Sequence, residues 1–205
     1  MTEPVYQPRR RRRMPGEERY RQLLDIATKV FADLGYSRAG TADIARAAGV
    51  AEPTIYRHFP SKRDLFLTSV RRAWDQIFDG WHDAAQQATD PLAALRGIAQ
   101  RTVQQLRESP EAAILHFRSI HEADDPEVRQ LSQDIYRQGH SFVLDLFRQA
   151  QARGQLAPGA DPEALAGLFM GLLLLYIVAQ MLGLWDLFTP QRQESMLKAV
   201  LGAKS

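Results

Sequence analysis

Cysteine is absent from this chain of 205 residues, which excludes disulfide bonds and cysteine-ligated metal sites. No alternation of apolar and polar residues is long enough to predict a β-strand. Residues 1–16 are polar and punctuated by proline, so no apolar secretion signal opens the sequence. We therefore expect a cytoplasmic protein that is all-α.

Catalytic motifs are missing as well. The sequence contains no G-x-S-x-G, no P-loop, no G-x-G-x-x-G and no H-E-x-x-H. His116 and His121 are five residues apart rather than the four of zinc-binding helices, so their imidazoles do not share a helix face. We expect no enzyme, no cofactor and no metal site, and we interpret these histidines as surface or pocket-lining residues.

Charge is distributed unevenly along the chain. Residues 1–72 carry 15 Lys and Arg against 8 Asp and Glu, a net +7, whereas residues 73–205 carry 11 against 16, a net −5. With 45% hydrophobic residues the chain can build a substantial core. A basic N-terminal third joined to an acidic remainder indicates that one end binds a polyanion.

Residues 41–66 have the pattern of a helix-turn-helix. Thr41 is placed to N-cap a first helix, and Gly49 supplies the permissive backbone of a tight turn. Pro53 opens a second helix over 53–59, because its missing N–H costs nothing in a first turn. The inward face of the first helix is formed by small and apolar residues, namely Ile44, Ala45 and Ala48.

The second of these helices has one apolar and one polar side. A rotation of about 100° per residue points Ile55 and Phe59 inward and Arg57 outward. A short exposed helix of this kind suits a DNA major groove. Ser61 and Asp64 then form a capping box, so a third helix begins at Lys62, whose cation is placed to clamp a phosphate.

The sequence of residues 41–66 resembles that of the tetracycline-repressor-like (TetR) family of bacterial regulators. The family pattern T-x-x-I-A-x-x-A-G-V, followed by x-T-x-Y-x-H/Y-F and x-x-K-x-x-L, is matched over about a quarter of the chain. The matching residues are Thr41, Ile44, Ala45, Ala48, Gly49, Val50, Thr54, Tyr56, His58, Phe59, Lys62 and Leu65, together with Ala27, Phe31, Gly35 and Tyr36 in the preceding helix. The sequence departs from the family pattern at Ala51-Glu52-Pro53, where many members have Ser-x-Gly or Ser-x-Pro. This difference bears on which bases are contacted and not on the mode of binding.

The resemblance implies an all-α protein with an N-terminal three-helix DNA-binding domain over 17–66 and a helical ligand-binding and dimerisation domain over 67–205. Its implied function is a homodimeric repressor of a palindromic operator in double-stranded DNA, released by a hydrophobic small-molecule effector. We expect Thr41, Tyr56, His58 and Lys62 to hold phosphates. The bases would be faced by Glu52, Pro53, Thr54 and Arg57, with Arg57 suited to guanine.

Residues 1–16 form a basic arm with five consecutive arginines. It is either a solvated tail that aids solubility or a flexible arm that follows phosphates or enters a minor groove beside the helix-turn-helix. We favour the second interpretation. The arginines are Arg9, Arg10, Arg11, Arg12 and Arg13.

Residues 164–185 contain no charge and are long enough to cross a membrane. The alternative to a regulator is therefore a small membrane-associated helical protein. Against the membrane alternative, the residues that flank this segment are acidic and include no basic anchor. A helix that is apolar on all sides is equally suited to burial between its own domain and a partner subunit. In the TetR resemblance such helices form a four-helix bundle between subunits, and we assign its contacts to Leu144, Gly167, Gly171 and Leu173.

The effector pocket is inferred from the family layout. A ligand enclosed by the apolar residues of the second domain would be largely hydrophobic, and an acyl chain and an aromatic drug fit equally well. An acyl-CoA would also need basic residues at the mouth, which the sequence does not assign. The candidate pocket residues are Trp74, Phe78, Trp81, Ile98, Leu115, Arg118, His121, Phe147, Phe169 and Tyr176.

Overall fold

The computed structural model describes residues 16–201, which form nine α-helices and two 3-10 turns, at 120–122 and 185–187, and no β-strand. The expectation of an all-α fold is confirmed. The Arg9–Arg13 arm lies outside the described residues. The helices are α1 (Gly16–Leu34), α2 (Thr41–Ala48), α3 (Pro53–Tyr56), α4 (Lys62–Gln86), α5 (Pro91–Glu108), α6 (Glu111–Ser119), α7 (Pro126–Ala152), α8 (Pro162–Leu182) and α9 (Pro190–Leu201).

The N-terminal head consists of α1, α2 and α3 packed on the start of α4. Phe31 of α1 meets Phe66 of α4 edge to face, with ring centroids 5.1 Å apart. Gly49 ends α2 with φ +64°, the left-handed conformation that favours glycine. The turn predicted between the first two helices of the motif is therefore present, and Ile44, Ala45 and Ala48 are buried beneath it.

Two details of the head differ from the sequence-based expectations. Thr41 is the first residue of α2 rather than its N-cap. The cap is Gly40, whose N–H donates to the Asp43 carboxylate at 3.1 Å. The second helix is also shorter than predicted and ends at Tyr56. After it the backbone forms a tighter turn, in which the N–H groups of His58 and Phe59 both donate to the Ile55 carbonyl.

The second domain is a bundle built from α4 to α9. Its longest helices, α4 and α7, pack closely because Gly139 has no side chain, since a Cβ there would lie 2.9 Å from the Trp74 ring. Asp125 and Asp161 N-cap α7 and α8, each with a proline at the next position. Residues 123–125 and 153–161 are the loops that precede these two helices.

Helix α8 is the one helix of the described part that is long and apolar enough to cross a membrane. It contacts α5, α6, α7 and α9 within the domain, which buries residues such as Phe169, Leu172 and Tyr176. A second apolar face of α8 remains exposed. It contains Ala164, Gly167, Leu168, Gly171, Leu174, Leu175 and Leu182, and we call it the α8 face.

Candidate nucleic-acid interface and internal cavity

Helix α3 presents its polar side to solvent. Ile55 and Phe59 are buried in the head, whereas Pro53, Tyr56 and Arg57 are exposed. The orientation agrees with the prediction from the helical rotation. The outward side chains offer a guanidinium and a phenol, two groups that bind base edges and phosphates.

Thr41 is engaged within the protein. Its hydroxyl donates to the Glu52 carboxylate and lies 3.1 Å from the Tyr56 hydroxyl. Only 7% of Thr41 is exposed, and its hydroxyl ties the start of α2 to Glu52 and Tyr56, whereas its contact with a phosphate stays a prediction. The contact with Thr41 also occupies one Glu52 oxygen, Oε1, which leaves the other for the predicted contact with a base.

Lys62 begins α4 at the surface of the head. The helix starts there because Ser61 accepts a hydrogen bond from the Asp64 N–H at 3.0 Å, as its cap. The ammonium group of Lys62 lies 4.4 Å from the centre of the Tyr36 ring, in cation–π geometry. It forms no ion pair with an acidic residue of 16–201, so its charge is available to a phosphate.

His58 stands beside this surface, half-buried. Its ring centroid lies 6.2 Å from that of Tyr20, which in turn stacks on Phe59 at 4.9 Å. The aromatic contacts fix the end of the α3 segment on α1. His58 thus remains a candidate for a phosphate contact from a defined position.

An ion pair that sequence reasoning missed joins the head to the second domain. Arg63, the second residue of α4, donates to both oxygens of Asp125 at 2.8 and 2.5 Å, and lies 3.1 Å from Glu127. Asp125 also caps α7 through the N–H groups of Glu127 and Val128. The hydrogen bonds from Arg63 lower the pKa of Asp125 to about 2.

The second domain encloses a cavity of about 190 Å³. None of its lining residues is charged. Burial lowers the pKa of His116 to about 4, so the imidazole is neutral at pH 7. On three sides the walls are Trp74, Ile77 and Trp81 of α4, Thr102, Gln105 and Leu106 of α5, and Ala113, His116 and Ile120 on and after α6.

The fourth side of the cavity is formed by α8 and Tyr136 of α7. Gly167, Gly171 and Leu174 contribute to both the cavity wall and the exposed α8 face. Trp81 Nε1 and His116 Nδ1 are buried and have no hydrogen-bond partner within residues 16–201. The cavity is therefore apolar and opens towards the α8 face, and two of its lining residues, Trp81 and His116, each keep a buried ring nitrogen without a partner in the described part.

Family models match both domains. A model of the bacterial regulatory proteins of the tetR family matches residues 23–68, and one of the tetracyclin repressor-like C-terminal domain matches residues 88–190. The chain belongs to the TetR family. Members of this family are DNA-binding transcription regulators and not enzymes, and the matched ranges include α3, most of the cavity wall and α8.

Individual relatives agree with this assignment. The TetR-family chain is 30% identical to the HTH-type transcriptional regulator LuxR of Vibrio harveyi over 80% of each chain. It is 41% identical to the HTH-type transcriptional activator FasR of Mycolicibacterium smegmatis over 45% of this chain and 42% of FasR. Its fold matches FadR of Bacillus subtilis, solved with stearoyl-CoA, with a TM-score of 0.76 and 19% identity over 91% of this chain and 100% of FadR.

The pocket residues predicted for this TetR-family protein are only partly brought together. Trp74 and Trp81 line the cavity, and Phe78 stacks on Trp74 from outside it, with centroids 5.4 Å apart. Arg118 lies against Gly35 at the end of α1, and His121 is exposed. The remaining five are core residues that do not line the cavity, namely Ile98, Leu115, Phe147, Phe169 and Tyr176.

Two of the four predicted dimer contacts also need correction. Leu144 and Leu173 are buried within their own protomer, 8% and 4% exposed, and Leu173 lines the cavity. Neither residue contributes to the exposed surface of its helix, α7 for Leu144 and α8 for Leu173. Gly167 and Gly171 are exposed on that surface, and a Cβ at either would meet no atom within 4 Å.

Proposed function

We propose that this TetR-family regulator is a cytoplasmic, homodimeric repressor that binds a palindromic operator and leaves it when a hydrophobic effector enters the cavity. One observation carries the proposal. Helix α4 begins with Lys62 on the head and continues to Trp74, Ile77 and Trp81 on the cavity wall. A ligand that changes the position of α4 would therefore change the position of the head.

The contacts with DNA follow from the exposed side of α3 and the start of α4. Tyr56, His58 and Lys62 would hold phosphates, which position the head without specifying sequence. Arg57 would contact a guanine in the major groove, with Pro53, Thr54 and Glu52 beside it facing neighbouring bases. The Arg9–Arg13 arm would add phosphate or minor-groove contacts beside the half-site.

Dimerisation would occur through the α8 face. Four leucines on it, Leu168, Leu174, Leu175 and Leu182, are each at least 40% exposed, and a contiguous apolar surface of this kind is typical of a protein–protein interface. Packing α7 and α8 against their copies would form a four-helix bundle. Two heads related by a two-fold axis then match half-sites about one helical turn, or a multiple of it, apart.

The second domain can transmit a ligand signal by two routes. Helix α4 is one, and the ion pair of Arg63 with Asp125 is the other, because it joins the start of α4 to the start of α7. Helix α6 adjoins both the cavity and the head, since His116 lines the cavity while Arg118 lies against the end of α1. For release to follow binding, the effector must bind the DNA-incompetent spacing of the heads more tightly than the competent one.

The effector itself would be a hydrophobic small molecule, either acyl-type or aromatic. The uncharged cavity wall supports this class. FadR of Bacillus subtilis, whose fold matches, was solved with stearoyl-CoA, which makes acyl compounds the first candidates.

Selection of DNA from a random pool by the purified full chain, at near-physiological salt, tests this function. The expected result is one enriched palindromic site. A variant lacking residues 1–15 serves as the comparison, and it should enrich the same core with weaker preference in the flanks. Enrichment of no sequence, or of DNA that dissociates at modest salt whatever its sequence, would contradict the proposal.

A further inference from the structure

A surface cleft of about 400 Å³ adjoins the cavity on the side of α7. It shares three lining residues with the cavity, namely His116, Ile120 and Tyr136. Ile120 and Tyr136 are about half exposed. The cleft and the cavity are thus neighbouring compartments separated by the same three side chains.

The two compartments differ in charge. The cavity wall carries no charged residue, whereas Arg129 and Arg137 line the cleft and no carboxylate does. Ser132 and Gln133 lie between them and add hydrogen-bonding groups. These are the basic residues that the sequence alone does not assign to the mouth of a pocket.

Both arginines can receive an anion. Arg129 is held at the cleft by a hydrogen bond from its Nε to the Ala123 carbonyl at 2.7 Å, which leaves its terminal N–H groups for another acceptor. Arg137 lies 3.8 Å from Asp134 in an exposed, loose ion pair. The two are eight residues apart on one side of α7, about 12 Å along the helix.

We propose that the effector is an anionic amphiphile, with an uncharged apolar tail in the cavity and an anionic head bound by Arg129 and Arg137. This inference rests on the proposed function and narrows it, because it excludes neutral drug-like molecules as the preferred class. The anionic head is a carboxylate, as in a free fatty acid, or a phosphate, as in an acyl-CoA. Both share the chemistry that a guanidinium pair recognises.

Three probes with one tail test the charge of the head: decanoate, decanoyl-CoA and decan-1-ol. Calorimetric titration of the full dimeric chain should give at least one anion a dissociation constant about 10-fold below that of the alcohol. Tighter binding of decanoate assigns a carboxylate head, and tighter binding of decanoyl-CoA assigns a phosphate head. The preference should weaken as salt is added, since both arginines are at the surface.

Two variants locate the head group. The double substitution Arg129→Gln and Arg137→Gln should reduce the preference for the anion to about 2-fold or less while leaving decan-1-ol binding unchanged. Arg148→Gln is the matched control, because it removes an exposed arginine of the same helix outside the cleft. An unchanged preference in the double variant, or an equal loss in the control, would overturn the assignment of the head to this cleft.

The tail is located by tryptophan fluorescence. Of the three tryptophans, Trp74 and Trp81 line the cavity and Trp185 does not. In a Trp185→Phe variant, 10-bromodecanoate should quench the remaining emission more strongly than decanoate does. Equal emission with both probes would place the tail outside the cavity and contradict the proposal.

The outcomes separate this inference from the proposed function. If decan-1-ol binds as tightly as both anions and releases the operator, the anionic head is wrong while a hydrophobic effector stands. If none of the three probes binds or alters operator affinity, the inference and the effector part of the proposed function both fail.

Discussion

The head and the second domain are both helical and both cap helices with side chains, as Asp125 and Asp161 do for α7 and α8, yet the second domain also contains a cavity and an exposed apolar face. In the head, short-range hydrogen bonds tie polar side chains to nearby groups, as in Gly40 with Asp43 and Ser61 with Asp64. In the second domain, long apolar helices leave a cavity, an exposed apolar face and two ring nitrogens without partners in the described part. The difference fits the proposed division of roles, in which the head is a fixed surface for DNA and the second domain has a cavity in which a ligand changes the packing.

The largest expected effect comes from the α8 face. Leu175→Glu should separate the dimer, because it places a charge in the centre of an apolar interface. Operator affinity should then fall by about 100- to 10,000-fold, since each head would bind alone. Light scattering gives the mass, and a binding titration on the selected site gives the affinity.

Leu173→Ala is the matched control on the same helix. Leu173 is buried inside the protomer, so the substitution should lower the free energy of unfolding by about 2–4 kcal/mol and leave the dimer intact. A Leu175→Glu variant that stays dimeric, or a Leu173→Ala variant that becomes monomeric, would contradict the assignment of the dimer interface to the α8 face.

The next largest effect concerns His116. Its folded-state pKa of about 4 lies below the ordinary 6.5, so above pH 6.5 the imidazole is neutral in both states and has no effect on stability. As the pH falls from 6.5 to 4 the unfolded chain takes up a proton that the folded chain does not. The free energy of unfolding should therefore decrease by up to roughly 3 kcal/mol over that range.

His116→Gln should remove this part of the pH dependence, as measured by chemical denaturation at pH 7 and pH 4.5. The control is His121→Gln, which replaces an exposed histidine and should keep the wild-type pH dependence. If the free energy of unfolding falls by the same amount between pH 7 and pH 4.5 in both variants, His116 is not the group responsible for the pH dependence.

A smaller effect separates base contacts from backbone contacts in the head. Arg57→Ala should relax the preference at one base pair of each half-site, at a cost of about 1–3 kcal/mol. Competition binding with single-base variants of the operator measures it. A uniform loss over all sequences would make Arg57 a phosphate contact instead.

The smallest expected effect is that of Lys62→Ala. Losing one phosphate contact should reduce the slope of log affinity against log salt by about one unit per head, with little change in base preference. Lys198→Ala on α9 is the control and should leave the slope unchanged. An unchanged slope in the Lys62 variant would remove this residue from the phosphate contacts.

The difference between the two regions also explains what the sequence could predict. The turn at Gly49, the start of α4 at Lys62 and the inward direction of Ile55 follow from local signals, so they were predicted correctly from a few residues. The cap at Gly40 was missed because Thr41 is an equally suitable capping residue by type, and its hydroxyl instead contacts Glu52, eleven positions away.

In the second domain the signals are not local. The apolar residues of α8 are nearly uniform, so the pattern does not tell the inward Leu173 from the outward Leu175. Large aromatic residues such as Phe147 and Phe169 fill the core, whereas the cavity wall combines Trp74 and Trp81 with small residues such as Thr102 and Ala113, and residue size therefore does not tell the two apart. The partnership of Arg63 with Asp125 depends on a contact across 62 residues, which no single segment encodes.

The central claim is that two heads of one dimer bind the two halves of a palindrome. Native mass spectrometry of the full chain on the selected site, and on the same DNA with one half-site scrambled, tests it most directly. We predict two protomers on the intact site and an affinity at least about 100-fold lower on the scrambled one. One protomer per site, or equal affinity for both DNAs, would contradict the account.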